Sequence, residues 1–214
     1  MTEPVAQKRS WSRNPWLWAA LAGIVLVPLT RPYCKRRTRN VPKPPPVLGT
    51  LPAFDLIDQH GKPFGSKELQ GQVWVANFIF TTCRSICPRL TAQMSKLAER
   101  YKKAGVNIRL VSITVDPETD TPAKLKAFAE TNDVDFRRWT WLTGPRVKIQ
   151  TLLENGFKTH MGDKKKLNGL IDIAHTGRFA LVDRKLGLRG LYHSDDKGID
   201  EIFHRSQHVL NATR

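Results

Sequence analysis

The strongest hydrophobic run in the chain is Val73 to Phe80, VWVANFIF. Apolar, β-branched and aromatic residues follow one another there almost without interruption, which predicts a strand buried on both faces. From Pro88 the apolar positions fall at Leu90, Met94, Leu97, Ala98 and Tyr101, a helical stripe. Pro88 sits in the first turn of that helix, where a missing amide hydrogen costs nothing. A second β-branched stretch, Val106 to Val115, predicts another buried strand, and Thr121-Pro122 opens a helix with Leu125, Phe128 and Ala129 on its apolar face. Trp139 to Thr143 reads as a short strand and Pro145 as the start of a helix running to Gly156. Arg178 to Asp183 and Leu188 to Tyr192 read as a terminal hairpin, followed by a helix with Ile199, Ile202, Phe203, Val209 and Leu210 on one face. Strands alternating with helices predict an α/β layer fold.

Between these elements lie less regular stretches. Ala53 to Phe64 predicts a small hairpin turning at His60-Gly61, and Phe157 to Ile173 loses periodicity and reads as a long surface loop. Upstream, Trp16 to Thr30 carries no charge, and aromatic residues mark the ends of an 18-residue segment from Trp16 to Tyr33. Eighteen helical residues extend about 27 Å, just enough to cross a bilayer. Lys8, Arg9 and Arg13 resemble the start of a signal peptide, but no small-x-small cleavage site follows, so an uncleaved anchor is expected. The chain thus divides into a basic segment 1–15, a transmembrane anchor 16–33, a basic and proline-rich linker 34–52, and a domain 53–212. The prolines of Val41 to Pro52 predict a stiff spacer.

Charge sharpens this division. The 214 residues carry a formal net charge of +16, and residues 1–49 hold nine Lys/Arg against one acid, half of that excess. The basic residues that follow the apolar segment would, by the positive-inside rule alone, keep the domain in the cytoplasm. A basic surface suits acidic partners or anionic lipid. No basic helix interleaved with aromatics appears, so nucleic acid is not an expected partner.

Only three cysteines occur, too few for a disulfide scaffold, and two of them, Cys83 and Cys87, lie at the junction of the first strand and helix. A helix start stabilises negative charge, which predicts a lowered thiol pKa at Cys87. Three residues separate the pair, so a metal or a disulfide can bridge them. Cys34 is left over in the leader. If the two central strands are parallel, Asp116 to Pro122 (DPETDTP) comes to the same end of the sheet as the cysteines. His175 precedes the strand at 178 and is the histidine expected beside the cysteine junction. His60 and His193 read as surface residues, His204 and His208 as an exposed helix face, and His160 with Met161 as a candidate transient ligand pair. Two thiols and one imidazole favour copper(I) in a three-coordinate site, and copper(II) when a further ligand is added.

Phe80-Thr-Thr-Cys83-Arg-Ser-Ile-Cys87-Pro88, the Asp116–Pro122 segment and the late His175 together resemble the Sco/SenC proteins. These are membrane-tethered, thioredoxin-fold copper chaperones for cytochrome c oxidase. The resemblance implies a thioredoxin-like three-layer α/β/α domain with a central mixed sheet, and a single N-terminal transmembrane helix. It implies copper bound by Cys83, Cys87 and His175, with Asp116 and Asp120 in a supporting or loop-ordering role. It further implies delivery of copper to the binuclear site of oxidase subunit II, with a copper-donating chaperone or thiol reductant upstream. The domain would face away from the cytoplasm, on the periplasmic side of the inner membrane, against the reading of the flanking charges. A thiol–disulfide oxidoreductase that reduces a partner's cysteines before metallation is the alternative activity.

Overall fold

The computed structural model describes residues 15, 16, 18–22, 24, 43–83, 86–162, 164–167, 170–173 and 177–212. The chain forms two compact units, residues 1–42 and 43–214. In the first, the described residues between Pro15 and Ile24 are helical and exposed. Among the described residues no helix is long and apolar enough to cross a membrane. Residues 25–33 of the expected span, and Cys34, lie outside the described residues.

The second unit is built on a mixed sheet. Its strands are β1 (Gly49–Thr50), β2 (Asp55–Asp58), β3 (Pro63–Gly65), β4 (Trp74–Ile79), β5 (Arg109–Thr114), β6 (Trp139–Thr143), β9 (Arg178–Val182) and β10 (Gly187–His193). They lie side by side in the order β1-β10-β9-β4-β5-β6-β2-β3. β4, β5 and β6 run parallel, and every other pairing is antiparallel. Five helical elements accompany them: α1 (Ser66–Leu69), α2 (Cys87–Lys103), α3 (Pro122–Thr131), α4 (Arg146–Thr151, continued by a π-helical turn Leu152–Gly156) and α5 (Asp196–Ala212). This is the α/β layer fold that the sequence pattern predicts, with the mixed sheet that the resemblance implies.

All six residues of β4 are buried, as its unbroken apolar run requires. Alternation sends Trp74, Ala76 and Phe78 to one face and Val75, Asn77 and Ile79 to the other. On the first face Phe157, at the end of the π turn, sets its ring edge-on against Trp74 at 6.0 Å and Phe78 at 5.0 Å. On the second, Ser112 donates to Asn77 at 2.6 Å and receives the Trp139 indole N–H at 2.8 Å, while Phe128 of α3 packs on Trp141 at 5.6 Å. Right-handed crossovers from β4 to β5 and from β5 to β6 put α2 and α3 on this same face. There α5 joins α2: Tyr101 stacks on Phe203 at 5.6 Å, its hydroxyl meets that of Ser206 at 2.8 Å, and Arg100 covers the Phe203 ring at 4.1 Å.

Two stretches differ from the expectation. Residues 43–52, read as a spacer, lie along the sheet edge. Arg189 donates to the Pro45 carbonyl at 2.8 Å, the Leu48 amide to Leu188 at 2.8 Å, and β1 pairs with the start of β10. Arg189 is held in turn by the buried carboxylate of Asp183 at 2.7 Å. Backbone ladder bonds satisfy what a free spacer would leave to water. The expected loop at 157–173 instead begins with two core residues, Phe157 and Met161, and continues as a separate hairpin of β7 (Lys164–Leu167) and β8 (Leu170–Ile173).

Phe157 fills the space between two β4 aromatics, so truncation leaves a cavity that the sheet cannot close. Phe157→Ala is expected to lower unfolding free energy by about 3–5 kcal/mol, measured by urea denaturation with an unchanged m-value.

Candidate metal centre

β4 delivers Phe80 and then Thr81-Thr82-Cys83 to the carboxyl end of the parallel strands. Ile86 caps α2, and Cys87 and Pro88 are its first residues. The Cys83 amide donates to the Phe80 carbonyl at 3.2 Å, and the Cys87 amide donates to the Cys83 sulfur at 3.3 Å. A helix N-terminus leaves its first amides without intrahelical acceptors; here the Cys83 sulfur takes one of them. Both cysteines are buried and no disulfide joins them. The Cys87 thiol is pushed far up, first by its hydrogen bond with Cys83 and then by burial. The lowered pKa expected from the helix start is therefore overturned. The dipole supplies a fraction of a charge, whereas burial beside a second sulfur removes the water that would solvate a thiolate.

Beneath the cysteines a carboxylate joins the loops of the two central strands. Asp120 accepts the Thr81 amide at 3.1 Å and the hydroxyls of Thr81 and Thr114. Its own amide donates to the Asp116 carbonyl at 2.8 Å, and the Asp116 amide donates to Thr114 Oγ1 at 3.0 Å. Both aspartates are fully buried. Burial raises the Asp120 pKa, the three donors pull it down, and Asp116 nearby raises it again, for a net upward shift. Thr121 caps α3 by accepting the Lys124 amide at 3.3 Å, fixing where the loop ends. Asp120 therefore orders the residues just before Cys83. The Thr81–Asp120 link was not legible in the sequence; Thr81-Thr82 ahead of a cysteine was its only trace.

His175 lies outside the described residues. Gly177, two residues on, is described, and a Cβ built on it would stand 2.9 Å from Ile86 Cδ1, between the two cysteines in sequence. The remaining histidines are scattered. His60 is exposed in the β2–β3 turn against Phe136 at 5.5 Å, and His193 is exposed at the end of β10. His160 is exposed with Glu154 3.5 Å away, whereas Met161 is buried, so the two do not form a ligand pair. Residues adjacent in sequence here point to opposite environments. His204 faces Asp200 at 3.7 Å on α5, and His208 lies one turn further along the same helix. Among the described residues no group of three or more His, Cys, Asp or Glu is assembled to hold a metal.

The SCO1/SenC family profile matches residues 46–211. The chain belongs to the SCO1/SenC family. It is 38% identical over 130 residues to the SCO1 protein homolog of Bacillus subtilis, an alignment that covers 60% of this chain and 66% of that protein. The match thus spans just under two thirds of that relative's length. Among solved structures it resembles BsSco, a member of the Sco family of cytochrome c oxidase assembly proteins in which a disulfide switch has been identified. The TM-score is 0.69 at 31% identity, covering 78% of this chain and 97% of that one. Bradyrhizobium japonicum ScoI with copper bound shares the fold, with a TM-score of 0.64 at 22% identity over 75% and 99% of the two chains. In this SCO1/SenC chain the cysteine junction, the Asp120 bracket and the start of β9 all gather at one end of the sheet.

The upward shift at Asp120 means that the folded state holds its proton to higher pH than the unfolded chain. Between the ordinary carboxylate value of about 4 and the raised one, stability then falls as pH rises. Asp120→Asn is expected to flatten that fall while weakening the Thr81 attachment. Thermal unfolding of both proteins across pH 4 to 8 checks the sign.

Proposed function

We propose that this chain is a copper-binding metallochaperone that delivers copper to subunit II of cytochrome c oxidase during oxidase assembly. The observation that carries the reading is the buried thiol pair at the strand–helix junction, the Cys87 amide 3.3 Å from the Cys83 sulfur, in a SCO1/SenC chain. Cys83 and Cys87 would supply two soft thiolates and His175 an imidazole. That donor set suits copper(I), and copper(II) with one more ligand. The place of Gly177 against Ile86 supports His175 as the third donor. Two residues of extended chain span about 7 Å at most, which bounds the distance from Gly177 to His175. Relatives support the cargo: the ScoI structure holds copper, and BsSco belongs to a family of oxidase assembly proteins.

Copper is the cargo, so the site must both hold and release it. Three ligands at the open end of a sheet leave copper(I) able to accept a donor from a partner before the chaperone's ligands let go. The amide aimed at the Cys83 sulfur favours charge there once a thiolate forms, and the Asp120 bracket keeps the loop from moving with the ion. Because the Cys87 thiol holds its proton tightly, copper must displace protons to bind. Uptake therefore strengthens as pH rises.

Gly49 and Thr50 pair with the start of β10. β10 runs parallel to β4, through β9, so this is the end of the sheet opposite the cysteines. Residues 16–33 would anchor the chain, with the domain on the periplasmic side of the inner membrane. A reporter active only outside the cytoplasm, fused after Pro42, is expected to be active; a cytoplasmic signal overturns this orientation.

Thiol–disulfide exchange with a partner is a second reading, and the direct Cys87–Cys83 contact favours it, because one sulfur already lies beside the other's helix start. Anaerobic copper(I) titration of the reduced protein separates the two. One equivalent is expected for wild type, none at competing chelator for Cys83→Ser/Cys87→Ser, and about tenfold or more weaker binding for His175→Ala, with affinity rising from pH 6 to 8. Equal binding by wild type and His175→Ala leaves the exchange reading alone.

A further inference from the structure

A recess lies at the end of the sheet away from the cysteines. Val73 comes just before β4, Asn107 two residues before β5 and Arg184 two residues after β9. With Gln72, Gln207 and Asn211 they line a cavity of about 380 Å³. Among the described residues that line it, none is a carboxylate and Arg184 alone is charged. Acids nearby in sequence are engaged elsewhere. Asp183 holds Arg189 at 2.7 Å, Glu68 accepts the Gly65 amide at 2.7 Å, and Glu201 faces Arg205 at 3.6 Å. The Arg184 Nε is buried and meets no acceptor among the described residues. Its carbonyl accepts the Gly71 amide at 2.9 Å, so the main chain there is tied down independently of the side chain. A buried charged donor without an acceptor is costly, and an anion in the recess would remove that cost. Gln72 and Gln207 donate to the carbonyls of Glu68 and Phe203, whereas the side chains of Asn107 and Asn211 make no hydrogen bond among the described residues. Two helices end here, and helix C-termini disfavour anions. The last carbonyls of α2 already accept the amides of Ala104, Gly105 and Val106, and the end of α5 brings about half a charge against the full charge of the guanidinium.

We propose that this cavity is an oxyanion site that takes a phosphate group. Arg184 supplies the charge and a planar fork of donors, and Asn107 and Asn211 supply neutral N–H groups. A carboxylate has too few oxygens to meet all of these donors, whereas a phosphate has enough. The cavity also has room for the group that a phosphate is attached to. Gly71 and Gly105, at its rim, turn at positive φ, and a Cβ on either would meet nothing within 4 Å, so the approach is open. Free phosphate and a phospholipid headgroup present the same oxygens and differ only in what those oxygens carry. The site does not rest on the copper reading: the length of β4 and β5 separates it from the cysteines.

The test uses the full-length reduced protein at constant ionic strength. It is titrated calorimetrically with inorganic phosphate and, separately, with a short-chain phosphatidylglycerol below its micelle concentration. Wild type is expected to bind one equivalent saturably. Arg184→Gln is expected to bind about tenfold or more weakly, and Arg184→Lys in between, because it keeps the charge and loses the fork. Asn107→Asp puts a carboxylate into the lining and should weaken phosphate by about tenfold as well. Asn107 is exposed, so this variant keeps the proposal testable if Arg184→Gln does not fold. Phosphate should raise the melting temperature of wild type and leave that of Arg184→Gln unchanged. Copper(I) titration of both variants should match wild type, so failure of either the phosphate site or the copper reading leaves the other standing. Binding of phosphate without the lipid assigns the free ion, and tighter binding of the lipid assigns the headgroup; each sustains the site. If a folded Arg184→Gln or Asn107→Asp binds phosphate as wild type does, or if the titration does not saturate at one equivalent, phosphate is only a general counter-ion of a basic chain and the site is overturned.

Discussion

A single buried carboxylate holds the working end of the sheet together. Asp120 leaves the loop after β5 and accepts hydrogen bonds from Thr81, at the end of β4, and from Thr114, at the end of β5. Burying a carboxylate is costly unless its oxygens are satisfied. Once they are, the surrounding groups have few other arrangements open to them. The residues before Cys83 inherit their position from this bracket, a group outside the cysteine pair itself.

The same bracket explains why the thiols can be buried and still serve a soft cation. The hydrogen bond with Cys83 and then burial push the Cys87 thiol up, so it holds its proton more tightly than a free cysteine. A cation that displaces the protons supplies the charge that makes two thiolates tolerable there. Burial and metal affinity work together here, whereas in a thiol built for nucleophilic attack they would oppose each other.

The remainder of the domain fixes residues 43–52 along the sheet edge. Asp183 and Arg189 clamp the incoming chain at Pro45, and β1 seals it to β10 at the far end of the sheet from the cysteines. Antiparallel β9 and β10 then carry the chain back and forth across the full height of the sheet.

Much of this could be read along the chain, for local reasons. The unbroken apolar run of 73–80 has no solvated face to offer, so β4 had to be a central strand. The 3.6-residue stripe after Pro88 and the proline at its start set α2, and that junction placed Cys83 and Cys87 at a helix N-terminus. The family-like pattern of cysteines, aspartates and His175 marked the candidate residues, although His175 lies outside the described residues. Contacts between distant residues carried no such signature. Thr81 meets Asp120 across 39 positions, and Ile86 meets Gly177 across a stretch longer still. The prolines of 43–52 spoke for a stiff extended chain and were silent about the edge that chain would join. Amino-acid order alone determined which segments are strand or helix and where the thiols fall, because periodicity and capping act within a few residues. Tertiary structure decided how tightly Cys87 holds its proton, what steadies the approach to Cys83 and which sheet edge residues 43–52 join, because burial and pairing depend on neighbours that folding alone brings together.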